Sequence, residues 1–284
     1  MITLDNGILS VKINELGAEI KSVQKNGEER MWPGRPEIWN NTAPLMFPIC
    51  GGLKENKYTF EGKEYTLNKH GYMRTTMFEV ESADTSSAVF LHKSSEETKK
   101  NYPFDYELRV IYTLDGDSIK IEYRVDNKSD KVMYFSIGSH EAYYTPEGIE
   151  DYDVIFPEKE TLLARDLYGS IVANTSRTII KDSCVLPLYE KFFMLDTLVF
   201  TSLKSRSAML RNRKSGKGVR VDFPDASYFL IWHIPNAPYI CLEPWGGISD
   251  IHGSGYDITE KEGITALDVG KTYTATHKIT FIEE

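Results

Sequence analysis

The sequence predicts an all-β protein, one large antiparallel β-sandwich with few short helices. Three observations lead there: apolar and polar residues alternate with a period of two along most of the chain, glycine-bearing turn signals separate the runs, and no long stripe of apolar residues has helical spacing. The 284 residues are 41% hydrophobic and 26% charged, which supplies a core without a metal or disulfide staple. No Pro/Gly/Ser-rich linker and no internal repeat divides the chain, so residues 1–284 are expected to form a single domain.

In chain order, Asp5-Asn6-Gly7 precedes the alternation of Leu9, Val11 and Ile13, and Lys25-Asn26-Gly27 marks the next turn. Glu61-Gly62 joins Tyr58-Thr59-Phe60 to Tyr65-Thr66-Leu67. The clearest hairpin pairs the run Tyr106, Leu108, Val110, Tyr112, Leu114 with Ile119, Ile121, Tyr123, Val125 across Asp115-Gly116-Asp117-Ser118, where Gly116 accepts the positive φ of a tight turn. The C-terminal run Tyr273, Ala275, His277, Ile279, Phe281 is also a strand, with His277 in phase with the apolar face. Helical signals are confined to residues 94–100 and 186–193, each enough for a short turn. Such a pattern excludes Rossmann and TIM-barrel architectures. Twelve or more antiparallel strands cannot remain one flat sheet, because twist and core burial force stacking or closure.

With 33 Lys+Arg against 42 Asp+Glu the formal net charge is −9, which repels a nucleic-acid backbone. The one basic cluster, Lys204, Arg206, Arg211, Arg213, Lys214, Lys217 and Arg220, reads as the solvated face of a hairpin. The N-terminus lacks a basic and apolar leader, and no window reaches the roughly 18–20 apolar residues of a membrane span. The expectation is a cytoplasmic protein without membrane partners, a monomer or homodimer. Cys50, Cys184 and Cys241 are odd in number and widely spaced, so neither a disulfide framework nor a zinc motif is expected, and the reading includes no metal and no cofactor.

Three local clusters carry chemistry: Asn68-Lys69-His70-Gly71-Tyr72-Met73-Arg74, Ser136-Ile137-Gly138-Ser139-His140-Glu141-Ala142-Tyr143, and Tyr239-Ile240-Cys241-Leu242-Glu243-Pro244-Trp245-Gly246-Gly247. Singly, each has an ordinary structural explanation: a His beside a turn, a Glu reaching solvent, a Trp in the core. Together they supply two imidazoles, a carboxylate, a guanidinium and aromatic faces. That kit suffices to open a cyclic hemiacetal, where a base takes the C1-hydroxyl proton while an acid protonates the ring oxygen. Rotation about C1–C2 and reversal then give the other anomer.

These clusters, with Phe47-Pro48-Ile49-Cys50-Gly51-Gly52-Leu53-Lys54, resemble in order and along nearly the whole chain the aldose 1-epimerase (galactose mutarotase) family, most closely its LacX-like branch. The resemblance implies the family's large β-sandwich and a small-molecule sugar substrate. It also implies Glu243 as general base on the C1 hydroxyl, His140 as the acid at the ring oxygen, and His70 as a second imidazole orienting the sugar near C1. By the same resemblance Arg74 donates to sugar hydroxyls and Asp196 holds the substrate. Trp245 and Trp232 offer ring faces to the sugar, core packing being the equal alternative. Related chains often read Gly-Arg-Leu where this one has Gly51-Gly52-Leu53; the nearby Lys54 is either a replacement for the missing cation or, the simpler reading, an exposed hairpin lysine. A free hexose is the expected substrate; the alternatives are a hexose 6-phosphate, which needs several cations around its phosphate, and a carbohydrate-binding protein that keeps the fold without turnover.

Overall fold

The period-two runs become strands, and the computed structural model, which describes residues 1–283, joins thirteen of them into one antiparallel sheet. The clearest hairpin is Tyr106–Asp115 against Ser118–Asn127, with Gly116 at φ +59° in its turn. In the first of these strands every even-numbered residue from Tyr106 to Leu114 is buried and the residues between are half-buried, as alternation requires. The C-terminal strand Thr272–Ile282 pairs with the other edge of Ser118–Asn127, placing His277 opposite Ile121 and burying it. Among the described residues helix is limited to single turns, including Glu96–Lys99, capped by the Ser95 hydroxyl accepting from Thr98 N–H, and the 3-10 turn Glu190–Phe193.

The basic cluster lies around the hairpin Ser207–Asn212 and Gly218–Asp222, where Arg213 pairs with Asp153, Lys214 with Asp151 and Arg220 with Asp222. Exposed pairs of this kind solvate a face and contribute little stability. A separate four-stranded sheet begins the chain with Ile2–Asp5, Leu9–Asn14, Glu19–Lys25 and Glu28–Glu29. The buried Tyr112 hydroxyl fastens it to the large sheet by donating to the Ala18 carbonyl at 2.7 Å. Among the described residues no helix is long and apolar enough to cross a membrane.

From one edge the large sheet runs Ala142–Tyr144, Tyr239–Trp245, Tyr228–Trp232, Leu198–Phe200, Tyr152–Tyr168, Ser207–Asn212, Gly218–Asp222 and Thr272–Ile282. Thr272–Ile282 thus lies seven strand steps from the edge, and at about 4.8 Å per step a flat sheet would hold the two roughly 34 Å apart. Yet Glu141, adjoining the edge strand, accepts a 2.8 Å hydrogen bond from His277 Nε2, with both side chains buried. The sheet therefore curls back on itself, and the layers of the sandwich are parts of one continuous sheet.

The strand Tyr239–Trp245 is buried at every position. Alternation sends Ile240 and Leu242 into the main core, while Tyr239 and Cys241 pack with Trp32 on the opposite face. Glu243 and Trp245 share that second face by the period of the strand. Replacing His277 with Ala leaves the Glu141 carboxylate buried without its partner. The expected loss is about 3–5 kcal/mol of unfolding free energy, measured as a lowered denaturant midpoint at unchanged m-value; a midpoint within error of wild type would mean that this contact does not hold the curl closed.

Candidate active site

Three chain segments converge on one cleft, and each is held by backbone hydrogen bonds. His70 and Gly71 both have φ +69°, and the step lies against Phe47-Pro48, with Tyr72 N–H donating to the Phe47 carbonyl at 3.2 Å. Only glycine fits at 71, because a Cβ there would lie 2.2 Å from the Phe47 carbonyl oxygen. The second segment runs beside Tyr239–Trp245: Ser139 N–H donates to Pro244 O at 3.2 Å, and Leu242 N–H to Glu141 O at 3.3 Å. This register places His140 over Glu243.

His140 Nδ1 stands 3.3 Å from Glu243 Oε1, yet neither atom has an aligned hydrogen-bond partner. Glu243 Oε2 accepts from the Trp245 indole N–H at 3.1 Å, a proton shared with the Ser139 carbonyl at 3.1 Å. The His70 ring meets the His140 ring edge-on at 5.7 Å between centroids. Its Nδ1 accepts from Gly51 N–H at 3.1 Å, which assigns the ring proton of neutral His70 to Nε2 and makes that nitrogen a donor. Trp39 and Trp232 flank His140 at 5.1 and 5.2 Å. The cleft encloses about 160 Å³ and is lined by Trp39, His70, Arg74, His140, Trp232, Glu243 and Trp245, with Lys69 and Thr197 among the others.

Removal from water dominates the electrostatics. Glu243 is 1% exposed, and burial pushes its carboxyl well above the ordinary carboxylate range, with nearby Lys69 opposing and Glu141 assisting the shift. Burial likewise pulls His140 down to about 3, reinforced by the Lys69 charge. His70 is held well below 6.5, first by burial and then by His140. Desolvation disfavours both ions of the Glu243–His140 pair, while their 3.3 Å separation favours them together or not at all. These opposite shifts favour a pair that holds one proton and no net charge, the proton belonging to the pair rather than to either residue.

Of the residues singled out in the sequence, the structure brings together Glu243, His140, His70, Arg74, Trp245 and Trp232. It does not bring Asp196 into the wall: that residue is exposed at φ +85°, and its Oδ1 accepts from the Thr197 backbone N–H and hydroxyl at 2.8 and 3.0 Å. Thr197 lines the cleft in its place. Lys54 does not replace the missing arginine either, since its ammonium lies over the Tyr256 ring at 4.5 Å. Position 52 has no room for a side chain, because a Cβ there would meet Ser170, at the turn between Tyr152–Tyr168 and Ile171–Pro187, at 2.8 Å. Sequence reading missed Lys69, although it adjoins His70 in a recognised cluster, and it missed Trp39, which lies in an irregular segment without a periodic signal.

His140, Cys241 and Glu243 also present donor atoms that all lie within 4.8 Å of one another. Burial raises the Cys241 thiol well above its ordinary range, so the protonated thiol is the resting form.

Residues 1–255 match the aldose 1-epimerase family model. The chain is 35% identical to the plasmid-borne LacX protein of Lactococcus lactis subsp. lactis, over 99% of both chains. Among solved structures it is similar to a galactose mutarotase related enzyme from Lactobacillus acidophilus, with TM-score 0.94 and 36% identity over 99% of this chain and 97% of the other. A galactose mutarotase-like protein from Lactobacillus casei matches with TM-score 0.93 and 28% identity, over 99% of this chain and 100% of the other. On a family match covering most of its length and on these relatives, the chain belongs to the aldose 1-epimerase family, whose class of enzyme is the carbohydrate isomerases.

Proposed function

We propose that this protein interconverts the α and β anomers of a free hexose by acid–base opening and closing of the pyranose ring, without metal, nucleotide or redox cofactor. The observation that carries the reading is the pair of facing atoms without hydrogen-bond partners, Glu243 Oε1 and His140 Nδ1, 3.3 Å apart in the wall of the cleft. The C1 hydroxyl and the ring oxygen are bonded to the same carbon, so an acid and a base serving them must stand close together. This pair does.

In the reactive tautomer Glu243 is the carboxylate and His140 the imidazolium. Glu243 accepts the C1-hydroxyl proton, the C1–oxygen ring bond breaks, and His140 delivers its proton to the ring oxygen. The open-chain aldehyde rotates about C1–C2, and the reverse transfers close the ring on the other face. The pair passes from carboxylate–imidazolium to carboxylic acid–imidazole and back, exchanging no net proton with solvent. Nε2–H of neutral His70 donates to a sugar oxygen near C1, Arg74 donates to hydroxyls farther along the ring, and the Trp232 and Trp245 rings cover its C–H faces.

One observation favours a second reading, epimerisation of a hexose 6-phosphate. Lys69 joins Arg74 in lining the cleft, and neither has a carboxylate within 4.0 Å among the described residues, so two cations are free for a phosphate. Anomeric proton exchange followed by NMR across aldoses and their 6-phosphates, with protein-free controls, separates the readings. Acceleration with free hexoses supports the first, and acceleration confined to phosphorylated sugars transfers the mechanism to the second. Saturable binding with no acceleration identifies a non-catalytic binder.

Glu243→Gln keeps shape and the Trp245 hydrogen bond but removes the basic oxygen. At pH 7 the folded variant is expected to lose roughly 10²–10⁴-fold in catalysed exchange while retaining weak sugar binding. Near wild-type exchange by a variant with an unchanged melting curve would remove Glu243 from the mechanism. His140→Asn is expected to lower kcat more than it raises KM, because its proton is needed as the ring bond breaks; a change in KM alone would reduce His140 to a clamp.

A further inference from the structure

We propose that His140, Cys241 and Glu243 form a binding site for one thiophilic divalent cation, Zn²⁺ or Cd²⁺, and that this cation and the sugar exclude each other. Cys241 takes no part in the acid–base chemistry, yet the period of Tyr239–Trp245 sets its thiol on the same face as Glu243. Ala142 lies opposite Cys241 in the sheet register, so the segment leading into that edge strand delivers His140 to the same place. The three donor atoms come from two parts of the chain, Cys241 and Glu243 from one strand and His140 from the segment beside it, and meet within 4.8 Å. No Cys/His spacing in the sequence announces them.

Geometry favours a tetrahedral ion. With Zn–N and Zn–O bonds of about 2.0–2.2 Å, a tetrahedral site needs its nitrogen and oxygen ligands about 3.4 Å apart. His140 Nδ1 and Glu243 Oε1 already stand at 3.3 Å, and both lack a hydrogen-bond partner. With a Zn–S bond of about 2.3 Å the sulfur must stand about 3.6 Å from the nitrogen and oxygen ligands, and one ligand atom from each of the three residues already lies within 4.8 Å of the other two. Glu243 is 1% exposed and Cys241 fully buried, so the ion has to be neutralised locally. A dication with one thiolate, one carboxylate and one neutral imidazole sums to zero charge. Binding expels the thiol proton and the proton held by the Glu243–His140 pair, both to solvent. The soft sulfur ligand selects Zn²⁺ and Cd²⁺ over Mg²⁺ and Ca²⁺. Three protein ligands leave a fourth position of the tetrahedron open.

Mutual exclusion with sugar rests on the proposed function, because it requires that the metal occupy the catalytic atoms; the binding itself does not. The test is a titration of Cd²⁺ into full-length protein previously dialysed against a chelator, read by the cadmium–thiolate charge-transfer absorption. One equivalent is expected to produce the band in wild type and in a Cys50→Ser/Cys184→Ser variant, and Cys241→Ser is expected to abolish it. Glu243→Gln, which keeps the thiol, is expected to weaken binding at least tenfold, and this holds the proposal open to refutation if Cys241→Ser fails to fold. No band at equimolar Cd²⁺, a band surviving in Cys241→Ser, or unchanged affinity in Glu243→Gln overturns the site. Saturating hexose or hexose phosphate is expected to raise the apparent Kd for Cd²⁺; if the Cys241-dependent band forms but no sugar competes with it, the metal site stands and the placement of the sugar at Glu243 falls.

Discussion

The site depends on the removal of water from Glu243. A carboxylate in solution is a weak base with a full hydration shell; in this cleft it keeps one donor, the Trp245 indole N–H, and faces one imidazole. Isolated charge is costly in such surroundings, so the pair settles at zero net charge with a single proton. An acid and a base are thereby available together in one protonation state. Placing an ordinary Glu beside an ordinary His in water would not couple them in this way. The rings of Trp39, Trp232 and Trp245 line the cleft around the pair, two of them packed directly on His140.

The fold meets this requirement through long-range closure. Glu243 lies on a strand buried at every residue, next to the edge of the sheet, where a side chain would ordinarily reach solvent. Curling brings Thr272–Ile282 behind that edge, and the Glu141–His277 hydrogen bond joins the two. Glu141 follows His140 directly in sequence, so the contact that closes the sheet also anchors the segment carrying His140. Glu141 contributes further by its charge, which adds to the upward shift at Glu243.

Much of this was legible in the sequence. The strand hairpins follow from local alternation and turn residues, as in Tyr106–Asp115 and Ser118–Asn127, where neighbouring residues determine both pairing and burial. His70, His140 and Glu243 stood out because each lies in an unusual local cluster. Tertiary neighbours decided the rest. Cys241 reads as one more apolar residue of a strand until the register sets it opposite Ala142. Trp39 belongs to a segment with no period. The sequence does not show that Asp196 stands beside the cleft wall rather than in it, its Oδ1 accepting from Thr197 while its charge adds to the upward shift at Glu243. Gly52 is a departure from the family pattern with a physical counterpart: the turn carrying Ser170 fills the volume an arginine there would need. The cations that reach the cleft are Lys69 and Arg74.

A single shared proton has a kinetic signature. If turnover conserves one proton on the Glu243–His140 pair, kcat/KM for anomer exchange, corrected for the uncatalysed rate, depends on pH only where the pair gains a second proton or loses its one. Gain removes the base, and because burial holds His140 down to about 3 that limb lies far below the imidazole's usual range. Loss removes the acid, and burial of Glu243 moves that limb upward. The profile is therefore expected to be flat through the region of about pH 6.5 in which an ordinary solvated imidazole titrates. A profile that falls tenfold per pH unit above about 6.5, the behaviour of an independent, ordinarily solvated imidazolium acid, would contradict the shared-proton account.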